Sequence, residues 1–325
     1  MEAVKRPSVG IVGGGAMGSL FALLLAPVAD VAVLDVRPDH VAALAEGIRE
    51  EHGERRAVRA TLRPQDLFAS EIIFVFVKAQ DTWNAMRPFG GKIDPACVIV
   101  SLQNGLGNEE AIKAALGGRL ALVLGVTTEG STQLSPGTVR RAGTGTTVLG
   151  GAGASPATVA TVRDLLTRAG LPAQSVYDIR PQIWGKLVAN AAINPVTALL
   201  DAPNGIVLDD EDAQALARAL AQETVQVAAA ARIGLPFDDA WEYVRAVASS
   251  TAQNVSSMRA DLRAGRRTEI EAINGAVVAM ARRHGLAAPY NEAMTRLVRA
   301  RQRKPAASAE SSVERNPTTA ERATS

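Results

Sequence analysis

Cysteine, lysine and aromatic residues are all scarce in this chain of 325 residues. The single cysteine, Cys97, has no partner for an intrachain disulfide. It lies in the apolar run Cys97-Val-Ile-Val100, where it is expected to be a buried core thiol of a cytoplasmic protein. No apolar run reaches ~18 residues, which argues against a membrane-spanning helix. The segment Lys5-Arg6-Pro7 passes directly into a short apolar strand and a glycine loop, which reads as the opening of a folded domain and not as a secretion leader. Basic and acidic residues nearly balance at 35 against 33, and no basic face is interleaved with aromatics, so nucleic acid is not an expected partner. The length suits two domains of ordinary size, each with its own core.

Lysine is the more telling shortage. Only six of the 35 basic residues are lysine, at positions 5, 78, 92, 113, 186 and 304. Arginine cannot release its proton, whereas lysine can, and its ammonium is compact. A lysine kept within or beside apolar segments therefore points to a chemical need, and Lys78 and Lys186 fit that description.

What is present begins with Ser8-Val-Gly-Ile-Val12, a short buried strand. It is followed by Gly13-Gly14-Gly15-Ala16-Met17-Gly18 and an apolar helix from Ser19 to Leu25. Gly-x-Gly-x-x-Gly between a strand and a helix has a physical purpose. The first glycine makes the turn, the second lets a pyrophosphate approach the backbone, and the third packs helix on strand. A second strand, Val31–Leu34, ends at Asp35, where an acid holds adenosine ribose hydroxyls and favours NAD. Arg37 stands two residues on, and an arginine there favours the extra phosphate of NADP. Three continuous apolar runs follow, Glu71–Val77, Cys97–Leu102 and Leu120–Leu124, as expected of parallel strands buried on both faces. They stop at Lys78-Ala-Gln80, at Gln103-Asn104-Gly105 and at a polar stretch that includes Ser131. Ligands of an open parallel sheet sit beyond the carboxyl ends of its strands, so these exits are expected to surround one cleft. The segments Thr138–Arg141 and Thr146–Leu149 flank a glycine turn and predict antiparallel strands at the sheet's end.

Past Asp178 strand signals almost vanish. Helices are expected from Asp209 as cap to Ile233, over Asp239–Gln253, over Glu269–His284 and over Asn291–Gln302. The expected organisation is α/β, with a doubly wound dinucleotide-binding sheet over residues 1–178, an all-α domain over 179–303 and a disordered tail over 304–325. The stretch Trp184–Pro195 opens the helical half. It is apolar nearly all round but carries Lys186, Asn190 and Asn194 at four-residue steps, which stack three polar heads along one stripe. Such groups are costly to bury unless satisfied, so the stripe either faces trapped water and other side chains or, as the sharper expectation, lines a ligand cleft. Pro195 is expected to disturb the helix at Asn194. Glu269 is expected in a first helical turn, where a carboxylate favours the helix whatever else it does.

These motifs, in order and spacing, resemble the ketopantoate reductase family (2-dehydropantoate 2-reductases) along the chain to about Arg301. The resemblance rests on Gly13-x-Gly15-x-x-Gly18, Lys78-Ala79, Asn104-Gly105, Trp184-x-Lys186-x-x-x-Asn190-x-x-x-Asn194-Pro195, Pro203-Asn204-Gly205, Asn254-x-x-Ser257-Met258, and Thr268-Glu269-Ile270 with Asn274-Gly275. It implies a Rossmann-type domain followed by a helical one, with the active site between them. It implies Lys186 as the general acid, Glu269 beside the reacting centre and cofactor, and Asn190, Asn194, Asn204, Asn254 and Ser257 as substrate-binding residues. It further implies Asn104 and Ser131 along the nicotinamide and Lys78 near the adenosine. The implied reaction reduces ketopantoate to D-pantoate for coenzyme A synthesis. NADP is the implied cofactor, with NAD left open because Asp35 departs from the family's arginine. No metal is expected. A small 2-oxo acid is the expected partner, and a homodimer is an expectation of the same kind. Two other readings stay open: an NAD-dependent D-2-hydroxyacid dehydrogenase of the same family, and a non-catalytic dinucleotide sensor.

Overall fold

The structure, a computed structural model, describes residues 6–118 and 121–303. The tail expected over 304–325 lies outside the described residues. The first half alternates strands and helices in the order β1 Ser8–Val12, α1 Ala16–Leu25, β2 Asp30–Leu34, α2 Pro38–Ala45, β3 Arg49–Glu50, β4 Arg59–Thr61, β5 Ile72–Val75, α3 Thr82–Met86, β6 Val98–Ser101, α4 Asn108–Leu116 and β7 Ala121–Thr127. It continues with β8 Gly130–Ser135, β9 Thr138–Gly143, β10 Thr147–Gly151, α5 Pro156–Arg168 and β11 Ala173–Ser175. Only helices follow among the described residues: α6 Arg180–Leu200, α7 Ile206–Asp209, α8 Glu211–Ala230, α9 Ala240–Ser250, α10 Ser257–Arg263, α11 Asn274–Arg283 and α12 Pro289–Arg303.

The main sheet has the order β11-β10-β7-β6-β5-β1-β2-β4. The six strands from β4 to β7 are parallel and form the doubly wound arrangement in which the chain starts at the centre and winds outward both ways. Alternation along each strand divides the core. Ile72 and Phe74 of β5 join α1 and α5 on one face, and Ile73 and Val75 join Met86, Ile112 and Leu116 on the other. Cys97 is buried as expected, and burial pushes its thiol up to about 12.

The antiparallel strands expected over Thr138–Arg141 and Thr146–Leu149 both form, but not as partners of each other. β10 runs antiparallel to β7 in the main sheet, whereas β9 pairs with β8 and β3 in a separate three-stranded sheet. The alternating pattern marks both strands correctly but cannot identify their partners.

In the helical half α6 is the central element. Trp184, Leu187 and Ala191 pack into one apolar cluster, and Val188, Ala192 and Ile193 into another. Pro195 does not end this helix, which continues to Leu200. The cap expected at Asp209 is Asp210, whose carboxylate accepts the Ala213 N–H at 2.8 Å. The helix expected from Glu269 starts at Asn274. No helix among the described residues is long and apolar enough to cross a membrane.

Candidate active site

The turn from β1 into α1 is shaped for close approach. A Cβ at Gly18 would lie 1.9 Å from the Gly13 carbonyl oxygen, so only glycine lets α1 sit this near the turn. Nothing lies within 4 Å of a Cβ at Gly15, and α1 starts one residue later with no side-chain cap on its free amides. An open backbone at a helix N-terminus suits a pyrophosphate, so these residues fit a dinucleotide. Asp35 accepts the Gly14 N–H at 2.9 Å, the Arg37 N–H at 3.0 Å and Arg37 Nε at 3.0 Å. Burial would raise the Asp35 carboxyl, but the side-chain and backbone bonds from Arg37, with that from Gly14, outweigh it and hold the group below its ordinary value. Asp35 is buried, while the Arg37 side chain remains 45% exposed at the rim.

Sequence reasoning missed the support beneath this turn. The Gly14 carbonyl accepts from Ser19 Oγ at 2.7 Å and from His40 Nε2 at 2.5 Å. On β8, Gln133 lies 3.0 Å from His40 Nδ1, and Ser131, two residues earlier on the same face, donates to the Ala16 carbonyl at 2.9 Å. β8 therefore braces the cofactor turn from the side.

The strand exits meet the helical half at one place. Lys186 projects from α6 and its Nζ donates to the Thr127 carbonyl at 2.7 Å, at the end of β7. Burial pulls this amine down to about 8, with the Glu269 carboxylate opposing the shift. Glu269 accepts the Ala79 N–H at 3.1 Å and Asn104 Nδ2 at 3.3 Å, each from a different strand exit. Burial raises the Glu269 carboxyl, and those two bonds and the Lys78 charge offset only part of that. Lys78 Nζ pairs with Asp261 at 2.6 Å and donates to the Arg267 carbonyl at 2.5 Å. The Leu106 N–H donates to the Ala272 carbonyl at 2.9 Å, and a Cβ at Gly105 would come within 2.3 Å of that carbonyl.

These contacts explain why Glu269 is not helical. The turn over 269–273 gives its carboxylate and the Ala272 carbonyl to the strand exits, so a regular helix begins only afterwards. The favourable first-turn placement expected for Glu269 therefore does not apply, and its buried carboxylate faces the exits instead.

The other residues singled out from the sequence divide into groups. Asn190 is partly buried and Asn194 buried, and neither carboxamide has a hydrogen-bond partner among the described residues. Asn204 donates to Thr251 Oγ1 at 3.0 Å, and its buried Oδ1 is without a partner. Asn254 is exposed and contributes its backbone carbonyl to the Asn204 N–H. Ser257 is exposed at the start of α10, whereas its neighbour Ser256 caps that helix and meets Thr197 Oγ1 at 2.7 Å. Thr197 in turn donates to the Asn194 carbonyl at 3.0 Å, which draws the 254–257 turn beside the far end of the stripe.

The chain matches two family models, "Ketopantoate reductase PanE/ApbA" over residues 9–153 and "Ketopantoate reductase PanE/ApbA C terminal" over residues 178–302. A 2-dehydropantoate 2-reductase of Archaeoglobus fulgidus is 40% identical over 299 residues, which is 90% of this chain and 96% of that protein. A PanE/ApbA family ketopantoate reductase of Ralstonia eutropha superposes with a TM-score of 0.84 at 28% identity, over 91% of this chain and 98% of the other. A D-mandelate dehydrogenase solved with NADH superposes with a TM-score of 0.81 at 26% identity over the same shares.

Proposed function

Since the chain belongs to the ketopantoate reductase family, we propose that it reduces ketopantoate to D-pantoate in the cleft between its strand exits and α6. In this reading residues 1–178 hold the dinucleotide and residues 179–303 the substrate, in a cytoplasmic homodimer. When bound, the dinucleotide supplies the hydride to the substrate's carbonyl carbon. Lys186 Nζ gives a proton to the carbonyl oxygen, so that the C=O becomes CH–OH and the amine is left neutral. One observation carries this assignment: the amine is fixed at a strand exit, with its proton affinity lowered to about 8 by burial. A donor poised near the working pH transfers its proton most effectively.

Asn190 and Asn194 offer unpartnered carboxamides one and two turns along the helix, which suits the substrate's carboxylate and hydroxyl. The neighbouring 254–257 turn, with Asn204, closes the same end. Glu269, held by Ala79 and Asn104, opposes full loss of the Lys186 proton. On the cofactor side we assign NADPH, with the rim guanidinium of Arg37 meeting the 2′-phosphate. NADH remains usable because Asp35 can accept a ribose hydroxyl.

The buried Asp35, and the likeness to a D-mandelate dehydrogenase solved with NADH, favour a second reading as an NAD-dependent D-2-hydroxyacid dehydrogenase. Steady-state reduction of ketopantoate and benzoylformate, each with NADPH and with NADH, decides between them. A higher kcat/KM for ketopantoate with NADPH is the expected result. Preference for benzoylformate with NADH would transfer the assignment to the second reading. Dinucleotide binding without consumption of either acid would leave a sensor.

A further inference from the structure

Pro195 stands inside a helix of 21 residues. It has no N–H to give to the carbonyl of Ala191, four positions earlier. That carbonyl is nevertheless satisfied, because Asn274 Nδ2 donates to it at 3.0 Å. Asn274 is fully buried and begins α11, directly after the turn that carries Glu269. Its amide nitrogen also donates to Asn291 Oδ1 at 2.9 Å, so both of its hydrogens are engaged, while its Oδ1 has no partner among the described residues. Asn291 passes the connection on, donating to Glu223 Oε2 at 2.8 Å. Glu223 also accepts the backbone N–H groups of Tyr290 and Asn291 at 2.8 and 2.9 Å, at the start of α12. A buried polar chain thus runs from α8 through α12 and α11 to one carbonyl of α6. That carbonyl lies one residue after Asn190 and three before Asn194.

We infer that Asn274, backed by Asn291 and Glu223, is a positioning residue for the substrate stripe: it fills the gap that Pro195 opens in α6 and so fixes how Asn190 and Asn194 present their carboxamides. The inference rests on the reading of those two asparagines as substrate-holding residues. A carbonyl freed in mid-helix tilts towards other partners and bends the helix there, which would turn Asn194 away from Asn190. Taking the partner from α11, and not from the helix itself, also ties the stripe to the turn that holds Glu269 beside the strand exits.

The pair can be tested against itself, because a Pro195→Ala substitution restores the missing N–H. Asn274→Ala, Pro195→Ala and the double variant are prepared in the full chain. Asn274→Ala is expected to raise KM for the 2-oxo acid ~10-fold, the scale of one buried hydrogen bond. Cofactor affinity and kcat should stay within about twofold, a difference too small to register as a lost interaction. Hydrogen exchange over residues 191–198 should quicken. In the double variant the backbone N–H gained at position 195 can bond to the Ala191 carbonyl, so KM and exchange should return towards those of Pro195→Ala alone. A double variant as impaired as Asn274→Ala would overturn the inference, as would a parallel loss of cofactor affinity. If Asn274→Ala does not fold, Asn274→Leu, which is close in volume and has no donor, takes its place with the same outcomes. The exchange arm needs no substrate. A wild-type chain that reduces no 2-oxo acid would therefore sink the functional reading, whereas unchanged exchange in the variant would sink the link between Asn274 and α6.

Discussion

On the strand-exit wall of the cleft, Asp35, Asn104 and Ser131 all hold partners within the chain, whereas on the α6 wall the carboxamides of Asn190 and Asn194 hold none among the described residues. The first wall is assembled by its own hydrogen bonds and offers a preformed seat. The second presents amide groups that no side chain or backbone group among the described residues engages, open to a ligand. A ligand that bonds to them replaces water and no internal partner. Under the proposed function the contrast separates two tasks: the cofactor wall supplies rigidity, and the α6 wall supplies affinity for the acid being reduced.

The largest expected effect falls where the walls meet. Lys186→Ala should lower kcat by about 10²–10⁴, the usual worth of a general acid, while dinucleotide binding followed by fluorescence changes little. Lys186→Arg should fail nearly as badly, since a guanidinium keeps its proton. A variant with wild-type turnover would remove Lys186 from the chemistry. Next come Asn190→Ala and Asn194→Ala, each expected to raise KM for the 2-oxo acid about 10-fold or more with little change in cofactor KM. If cofactor KM rose instead, the division of tasks between the walls would be wrong.

A smaller change is expected at the rim of the preformed wall. Arg37→Ala should weaken NADPH by about 10-fold, on the scale of one charged hydrogen bond, and leave NADH nearly untouched. Equal losses with both cofactors would place Arg37 outside phosphate recognition. Smallest of all is Ser131→Ala, which removes the hydrogen bond to the Ala16 carbonyl beside the glycine turn. It should cost about 1 kcal/mol of stability in denaturant unfolding and leave KM for the acid unchanged. A raised KM for the acid there would break the contrast from the other side.

The features legible in the sequence are those carried by local spacing. The glycine turn, the twice-buried strands and the four-residue step of Lys186, Asn190 and Asn194 each follow from the geometry of a single element. What the spacing could not show are contacts between elements. The acceptor that fixes Lys186 is a backbone carbonyl 59 residues away, and the donor that repairs the helix at Pro195 is 83 residues from the carbonyl it satisfies. Pro195 alone argues for a disturbed helix, and only the position of Asn274 reverses that. Glu269 misleads for the same reason, because its turn is held by Ala79, Asn104 and Leu106 from the other half of the chain. The partners of β9 and β10 were equally out of reach, since a period of two marks a strand without naming its neighbour.

The pH dependence of kcat for 2-oxo acid reduction tests the central claim most directly. The Lys186 amine is drawn down to about 8, and the proposed mechanism requires its protonated form for reduction. Rate should therefore hold steady below that value and fall as pH rises through it, while oxidation of the hydroxy acid, which needs the neutral amine, should climb over the same range. The falling limb should vanish in Lys186→Ala. A reduction rate flat through that range in the wild type, or a falling limb that survives in the variant, would contradict Lys186 as the proton donor.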